Sequence, residues 1–334
     1  MAENKMRWGI LSTANIGRAA VIPAIQSSKN AEVIAVASRD RQKGIEFAAL
    51  MGIPKSYASY ETLLDDPDID AVYIPLPNSL HYEWTIKAAQ AGKHILCEKP
   101  LALSAAQCLE MDAAARESGV LLMEAFMYRF HPRIERVIDQ VRAGALGPLQ
   151  MIQSGFTFKL TRPDNIRLRA DLGGGALMDV GSYCVNISRT LAGGEPEAVQ
   201  AVATWTGTGV DDRLAGTLLF VNGLTAQFDC ALSMARRESI VAAGTDGYYY
   251  IPAAFLPGKE DVLLYEFRDR KEIPHQFSRC DQYQLMVEHF MECILNRKQP
   301  RYSVRDAAAN LHVIEALHQS AHNQGKWQSV HPLT

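Results

Sequence analysis

The chain has 334 residues, and at roughly 150 residues per domain that length points to two domains. Its 48% hydrophobic and 21% charged residues, with 23 Gly and 15 Pro, lie in the globular range and exclude collagen, coiled coil and long disorder. A net charge of −3, from 34 basic and 37 acidic residues, supplies no broad positive field for a phosphate backbone, so nucleic acid is not an expected partner.

Residues 1–5 lead straight into a strand-like run rather than a signal-peptide core, and no apolar run approaches the ~20 residues of a membrane span. A cytoplasmic protein without a membrane partner is expected. From residue 7 to about 120, β-rich runs alternate with helical patterns. Strands are predicted at 7–11, 32–37, 71–74, 94–97 and 121–123, and helices at 17–27, 40–51, 79–91 and 104–118. Such alternation builds right-handed βαβ units and a doubly wound parallel sheet.

After Pro132 the texture changes. A helical stretch to Arg142 and a Gly-Ala-Leu-Gly-Pro turn precede strand-like runs at 149–159, 199–206, 214–220, 225–232, 239–243, 248–251 and 262–268. Turn signals at Asn222-Gly223 and Asp246-Gly247 favour antiparallel pairing, and helical patterns at 282–296 and 303–324 follow. There is no 20- to 50-residue repeat. The expected fold is α/β: a Rossmann dinucleotide domain in residues 1–125, then an α+β domain in 126–334 with an open-faced, mostly antiparallel sheet. Six cysteines, 97, 108, 184, 230, 280 and 293, show neither a C-x-x-C pair nor ligand spacing, so buried thiols are expected and no metal site.

The first strand runs into Gly9-Ile10-Leu11-Ser12-Thr13-Ala14-Asn15-Ile16-Gly17 and then a helix, the place where a dinucleotide fold sets its pyrophosphate against backbone N–H groups. Against G-x-G-x-x-G, Ser12 and Ala14 replace the first two glycines and only Gly17 remains. The same residues suit an ordinary strand-to-helix turn capped by Asn15 or Thr13. The second strand ends Ala37-Ser38-Arg39-Asp40, where an NAD site usually carries a carboxylate for the ribose 2′-OH. Ser38 and Arg39 suit a 2′-phosphate instead, so NADP(H) is preferred and NAD(H) stays possible. Alternatively Arg39 is a solvated charge and Asp40 a helix cap.

The fourth strand ends in Pro75-Leu76-Pro77-Asn78-Ser79-Leu80-His81 and the fifth in Glu98-Lys99-Pro100. With residues 123–132, Asn165-Ile166-Arg167, and Gly173-Gly174-Gly175 running on to Asp179-Val180-Gly181-Ser182-Tyr183, these blocks resemble the glucose-fructose oxidoreductase/inositol dehydrogenase/MocA family. Asp179-x-Gly-x-Tyr183 resembles the branch of dimeric dihydrodiol dehydrogenase and NADP-dependent xylose dehydrogenase, as do Gly209-Val210-Asp211-Asp212 and Gly244-Thr245-Asp246-Gly247. The resemblance implies a catalytic Lys99 beside the nicotinamide, a cis peptide before Pro100, and cofactor contacts from Ser12, Thr13, Ala14, Asn15, Ile16, Ser38, Arg39, Leu76, Asn78, His81, Glu98 and Lys99. Loss of two fingerprint glycines is tolerated in that branch.

Asp179 and Tyr183 are spaced i, i+4, so a helix over 178–190 puts both on one face, with Lys99 reaching in from the other domain. A nearby ammonium favours phenolate, so Tyr183 is expected to take the proton of a substrate hydroxyl while hydride leaves the adjacent carbon for nicotinamide C4. Lys99 polarises the oxygen and Asp179 orients a neighbouring hydroxyl. Lys99 is the alternative acid/base, with Tyr183 as hydrogen-bond donor. Asn165 and Arg167 join Asp179 and Tyr183 as expected substrate contacts. Structural readings stand beside these: Asp179 as a helix cap, Tyr183 as core, Glu98-Lys99-Pro100 as a strand end, Asn78 as a cap, and Arg167 as a surface charge.

The expected function is an NADP-dependent oxidoreductase on a sugar, polyol or cyclic diol. A keto-sugar reductase, of 1,5-anhydrofructose or nucleotide-sugar type, is the alternative in the reverse direction. A redox-neutral, NAD-dependent glycoside hydrolase is the other alternative, and Ser38-Arg39 argues against it. A non-catalytic NADP sensor would be expected to lack Lys99, Asp179 or Tyr183, and all three are present. The second sheet should leave an apolar face open to pairing with other copies, giving a homodimer or homotetramer.

Overall fold

The computed structural model describes residues 5–333, so the reading of residues 1–4 lies outside the described residues. The chain forms two compact units, the first comprising the chain to Met127 together with Asp281–Ala308, the second Tyr128–Cys280 and Ala309–Thr334. A single boundary at 125/126 therefore does not describe this division, because 281–308 returns to the first unit.

In the first unit, strands β1 (Met6–Leu11), β2 (Ala31–Ala37), β3 (Lys55–Tyr57), β4 (Ala71–Ile74), β5 (His94–Glu98) and β6 (Leu122–Ala125) pair all-parallel in the order β3-β2-β1-β4-β5-β6. Parallel strands covered on both faces need unbroken apolar runs. Accordingly Ile10, Leu11, Val36, Val72, Tyr73, Ile74, Ile95 and Leu96 are buried without alternation. Helices α1 (Ile22–Ser27), α2 (Arg41–Met51), α3 (Tyr60–Leu64), α4 (Asn78–Gln90) and α5 (Ala105–Glu117) make the connections. The strand order reverses between β1 and β4, and in doubly wound sheets ligands bind outside the carboxyl ends at such a reversal. A late helix of the chain, Gln282–Leu295, closes this unit, its Phe290 ring 5.5 Å from that of Trp8 on β1.

The second unit begins with α6 (Pro132–Arg142), β7 (Leu149–Lys159), α7 (Ser182–Ala192), β8 (Ala198–Trp205), β9 (Asp211–Leu219), β10 (Thr225–Ala231) and β11 (Ser233–Gly244). β12 (Tyr248–Pro252), β13 (Val262–Arg268) and β14 (Lys271–Phe277) complete one side of its sheet, and β15 (Gln328–Ser329) the other. The nine strands run β14-β13-β12-β11-β7-β10-β9-β8-β15, antiparallel except for the β7–β10 pair. Period-two alternation turns Ile152, Phe156, Leu214, Leu218, Phe228 and Ile240 inward, and Leu317 of the last helix, Val304–His322, packs near Gly216 on that side.

The outer face carries both apolar and polar side chains: the register places Val202, which is 60% exposed, with Val241, Tyr250 and Tyr265 on the same side as Gln153, Gln200, Thr217, Gln227 and the Arg237–Asp229 ion pair. Among the described residues, no helix is long and apolar enough to cross a membrane, and no three His, Cys, Asp or Glu side chains are grouped to hold a metal. Cys97, Cys108, Cys184, Cys230 and Cys293 are buried, and burial pushes the Cys184 thiol up to about 12.

His131 and Pro132 show how the start of the second unit is built. The His131 Nδ1 accepts from the Arg133 N–H at 3.1 Å, capping α6, while Pro132 occupies the first helical position. Arg133 is buried and donates to the carbonyls of Pro252, Leu263 and Ala253 at 2.8–3.0 Å. Burial, reinforced by the Arg133 charge, pushes His131 down to about 4. Between about pH 6.5 and 4 the unfolded chain therefore binds a proton that the folded chain refuses, so this stabilisation is full above pH 6.5 and is lost as pH falls toward 4. The loss amounts to roughly 3 kcal/mol at most. In urea titrations across that window, His131→Asn, which keeps a capping acceptor but does not titrate, is expected to flatten the decline. An unchanged slope would contradict the assignment.

Candidate active site

β1 delivers the chain into Ser12, whose φ of +133° lies in the region that glycine favours. Its hydroxyl ties the turn in two directions, donating to the Pro75 carbonyl at 3.2 Å and accepting from the Ala14 N–H at 3.2 Å. The helix that follows starts at Asn15, with the Arg18 N–H on the Ala14 carbonyl at 3.2 Å, and widens into a π-type turn over Gly17–Val21 that no side chain of its flanking residue caps. Asn15 instead accepts from the Arg18 guanidinium at 2.8 Å, so the capping reading of this residue does not hold. A Cβ on Gly17 would sit 3.7 Å from both Ile22 Cδ1 and Tyr73 Cε1, an ordinary contact. A glycine-like backbone at Ser12 followed by an uncapped helix start fits a pyrophosphate, which binds through backbone N–H groups.

At the end of β2, Ser38 is buried, with its N–H on the Tyr57 carbonyl at 3.0 Å and its Oγ accepting from the Asp40 N–H at 3.2 Å. Asp40 caps α2 by accepting from the Lys43 N–H at 3.1 Å. Arg39 is exposed and its charge lies close to the Tyr60 phenol, whose pKa burial raises and Arg39 partly offsets. Capping thus explains Asp40 but not Arg39.

Beyond β4, Leu76 is buried and Asn78 is the first residue of α4, with Pro77 in the cap position. His81 is fully buried, its Nδ1 2.9 Å from the Pro100 carbonyl and its Nε2 2.8 Å from the Leu76 carbonyl. Burial lowers its pKa. A carbonyl faces each ring nitrogen, and the neutral ring, with a single N–H, donates to one of the two, so His81 ties either the loop after β4 or the loop after β5 while lying against both. At the end of β5, Glu98 accepts from the Tyr73 hydroxyl at 2.6 Å and from the Lys99 N–H at 3.3 Å. The Lys99–Pro100 peptide is cis, and Glu124 of β6 accepts from the Leu101 N–H at 3.0 Å. Two carboxylates and a histidine hold the backbone on either side of half-buried Lys99.

In the second unit, Asp179 lies in another wide, π-type turn, Leu177–Gly181, and Tyr183 in the first turn of α7. Such turns are rare and frequent at functional sites. Arg167 Nε donates to Asp179 Oδ2 at 2.5 Å, and its guanidinium lies 5.9 Å over the Phe158 ring. Arg167 is thus paired with Asp179 while 38% of its side chain stays exposed. Asn165 accepts from the Arg167 N–H at 3.0 Å and caps the short turn Ile166–Leu168. Tyr183 is buried among the rings of Tyr128, Phe156 and Phe255, with centroids 5.2–5.6 Å away. Gly181 lets the turn lie close to β10: a Cβ there would meet Leu177 Cδ1 at 2.8 Å and Cys230 Sγ of β10 at 2.9 Å.

Several surrounding residues were not legible from sequence. Tyr128 donates to Asn186 Oδ1 at 2.6 Å beside the Tyr183 ring, and Phe255 arrives from 72 residues further along the chain than Tyr183 (255 − 183). Tyr128 lies in the 123–132 block that resembles the family, which gave it no role, and no local spacing signals Phe255. Asp179, Arg167, Asn165 and Tyr183 lie in one unit, while in the other Ser12, Leu76 and Lys99 sit on the loops after β1, β4 and β5, Glu98 ends β5, and Asn78 and His81 lie in the first turn of α4.

Comparison with known proteins adds the following. Residues 6–126 match the GFO/IDH/MocA oxidoreductase family with its NAD-binding Rossmann fold, and residues 134–250 match the GFO/IDH/MocA C-terminal domain. A D-xylose 1-dehydrogenase (NADP(+)) of Haloferax volcanii is 40% identical over 95% of this chain and 97% of its own. A trans-1,2-dihydrobenzene-1,2-diol dehydrogenase of Xenopus laevis is 34% identical over 90% of this chain and 93% of its own, so the branch expected from Asp179-x-Gly-x-Tyr183 is the one found. The crystal structure of an aldose-aldose oxidoreductase from Caulobacter crescentus, complexed with glycerol, superposes with a TM-score of 0.90 at 31% identity, over 97% of this chain and 99% of that one.

Holding an L-residue at the φ of Ser12 costs about 1–3 kcal/mol. Ser12→Gly removes that strain with the hydroxyl, whereas Ser12→Ala keeps the strain and loses both hydrogen bonds. In urea unfolding, the glycine variant is expected to be at least as stable as the parent and the alanine variant less stable by about 1–2 kcal/mol. Equal stabilities for the two variants would rule out a strained backbone at this position.

Proposed function

The chain belongs to the glucose-fructose oxidoreductase/inositol dehydrogenase/MocA family, and from that premise we propose an NADP-dependent oxidoreductase acting on a sugar, polyol or cyclic diol. The observation that carries this reading is the Asp179–Arg167 pair placed one turn before Tyr183, whose phenol is walled by Tyr128, Phe156 and Phe255. A carboxylate and a guanidinium suit vicinal hydroxyls, and the buried rings of Tyr128, Phe156 and Phe255 fix the Tyr183 side chain.

Backbone N–H groups of the turn at Ser12, Thr13, Ala14, Asn15 and Ile16 would hold the pyrophosphate, Ser38 and Arg39 the 2′-phosphate, and Leu76, Asn78 and Glu98 the nicotinamide half. When bound, the nicotinamide supplies a two-electron acceptor at the substrate carbon. Tyr183 takes the hydroxyl proton at its phenolic oxygen, Lys99 polarises the same substrate oxygen, and Asp179, held by Arg167, orients the adjacent hydroxyl. In reduction of a ketone the same tyrosine returns the proton. The NADP preference rests on Ser38-Arg39 at the end of β2, where position 38 carries no carboxylate to repel a 2′-phosphate and the Asp40 carboxylate caps α2. The xylose dehydrogenase relative is NADP-dependent by name. We further propose that copies pair through the outer face of the second sheet around Val202. A monomeric mass in solution at micromolar concentration would contradict this pairing.

Two measurements test the reading. In titrations followed by tryptophan fluorescence, NADPH is expected to bind more tightly than NADH, and Arg39→Ala to weaken NADPH at least tenfold with little effect on NADH; preference for NADH overturns the cofactor assignment. With a competent sugar or diol, Tyr183→Phe is expected to lower kcat by about 10²–10⁴. A loss below tenfold would move the acid/base role to Lys99, and Lys99→Met would then be the inactivating change.

A further inference from the structure

Asp211, the first residue of β9, is 1% exposed; it lies in the Gly209-Val210-Asp211-Asp212 run that resembles the family branch, and the proposed chemistry gives it no role. Its Oδ2 accepts from the Leu177 N–H at 2.7 Å, and its Oδ1 lies 3.4 Å from His318 Nε2. Leu177 opens the turn that carries Asp179 and leads into Tyr183. An N–H at a helix start has no partner within its own helix, and a carboxylate there also meets the positive end of the helix dipole. Asp211 is thus tied across 34 residues of chain to the turn that aims both polar groups of the substrate helix.

The chain before that turn is shaped to let the carboxylate in. Gly175 has a φ of +117°, and a Cβ on it would collide with Asp211 Oδ1. Gly174 packs so tightly that a Cβ would collide with the Arg167 carbonyl, and the N–H groups of Gly174 and Gly175 donate to the Arg169 and Arg167 carbonyls at 2.9 Å each. The Asp179 N–H in turn donates to the Gly175 carbonyl at 3.1 Å. The Arg167 loop, the glycine joint and the Asp179 turn therefore form one hydrogen-bonded assembly with Asp211 at its centre. On the far side of the carboxylate, His318 lies on the last helix, its ring 6.4 Å from Trp205.

We propose that Asp211 is a positioning residue of the reaction, fixing the turn that presents Asp179 and Tyr183, with His318 holding the carboxylate in place and glycine required at 175 by its reach. The effect on turnover rests on the function proposed above; the effect on the turn does not. A displacement of about 1 Å at a reacting group can cost 10²-fold in rate.

Three variants decide it in the full-length protein. Asp211→Ala removes the acceptor, Asp211→Asn keeps one oxygen for the Leu177 N–H, and Gly175→Ala drives a methyl group into the same space. Amide hydrogen exchange, which needs no substrate, is expected to show at least tenfold loss of protection at Leu177 and Met178 in Asp211→Ala and Gly175→Ala, and protection within threefold of the parent in Asp211→Asn. Where a sugar or diol substrate is in hand, kcat should fall about 10- to 100-fold in the first two variants and recover to within threefold in Asp211→Asn, with NADPH affinity in all three within twofold of the parent. Unchanged exchange at Leu177 in Asp211→Ala overturns the proposal, and so does an equal loss in Asp211→Asn and Asp211→Ala. If the parent oxidises no sugar or diol, the proposed function fails alone and the exchange result still decides this one.

Discussion

The first N–H groups of a helix have no acceptor inside their own helix, and the way each unit meets that constraint organises its half of the chemistry. In the second unit the Leu177 N–H is met internally, by the buried carboxylate of Asp211 at 2.7 Å. In the first unit the helix starts at Asn15, and the loop before it is bent through a glycine-like Ser12 whose hydroxyl takes the Ala14 N–H and leaves the N–H groups of the helix itself without a side-chain cap. A helix start closed by a protein carboxylate is a rigid support for side chains. One that no side chain caps, in a family with an NAD-binding Rossmann fold, is suited to a ligand phosphate.

Around those two helix starts the remaining polar residues are mostly tied to backbone. His81 spans two carbonyls, Glu98 and Glu124 hold the chain on either side of the cis Lys99–Pro100 peptide, and Asn165 caps the turn from which Arg167 reaches Asp179. Residues that a motif marks as functional thus divide by what their side chains touch. Lys99, Asp179 and Tyr183 carry the chemistry proposed, while His81 and Asn165 keep loops in place. A contact with backbone on both ring nitrogens, as at His81, leaves little capacity for a ligand.

This division sets what was legible in the sequence. The parallel sheet was readable because strands buried on both faces are continuous apolar runs, and β4 was placed to the residue at Ala71–Ile74. The missing pieces were short or interrupted: Lys55–Tyr57 is a three-residue strand, Tyr60–Leu64 a five-residue helix, and Lys271–Phe277 is an edge strand containing Pro274, which argues against a strand when read alone. The return of Asp281–Ala308 to the first unit is a tertiary event with no local signal. The candidate site divides in the same way. Asp179 and Tyr183 were singled out by an i, i+4 spacing that assumes a regular helix, where the structure has a π-type turn over Leu177–Gly181, and the Asp211 contact to Leu177 and the ring of Phe255 against Tyr183 join distant parts of the chain.

Glycine motifs show why a pattern of letters is only part of such a reading. At 174, 175 and 181 the side chain is excluded for three different reasons: a neighbouring carbonyl, a buried carboxylate at positive φ, and the sulfur of Cys230. At position 12 the fingerprint expects glycine and the chain carries serine, yet the backbone takes the φ of +133° that glycine would take. The hydroxyl hydrogen bonds to Pro75 and Ala14 offset part of the strain. A fingerprint therefore stands for a backbone path and the space beside it. A residue that holds the path by its own hydrogen bonds satisfies it without matching a letter, which is why the loop of this chain retains the geometry of a dinucleotide site with one of three glycines in place.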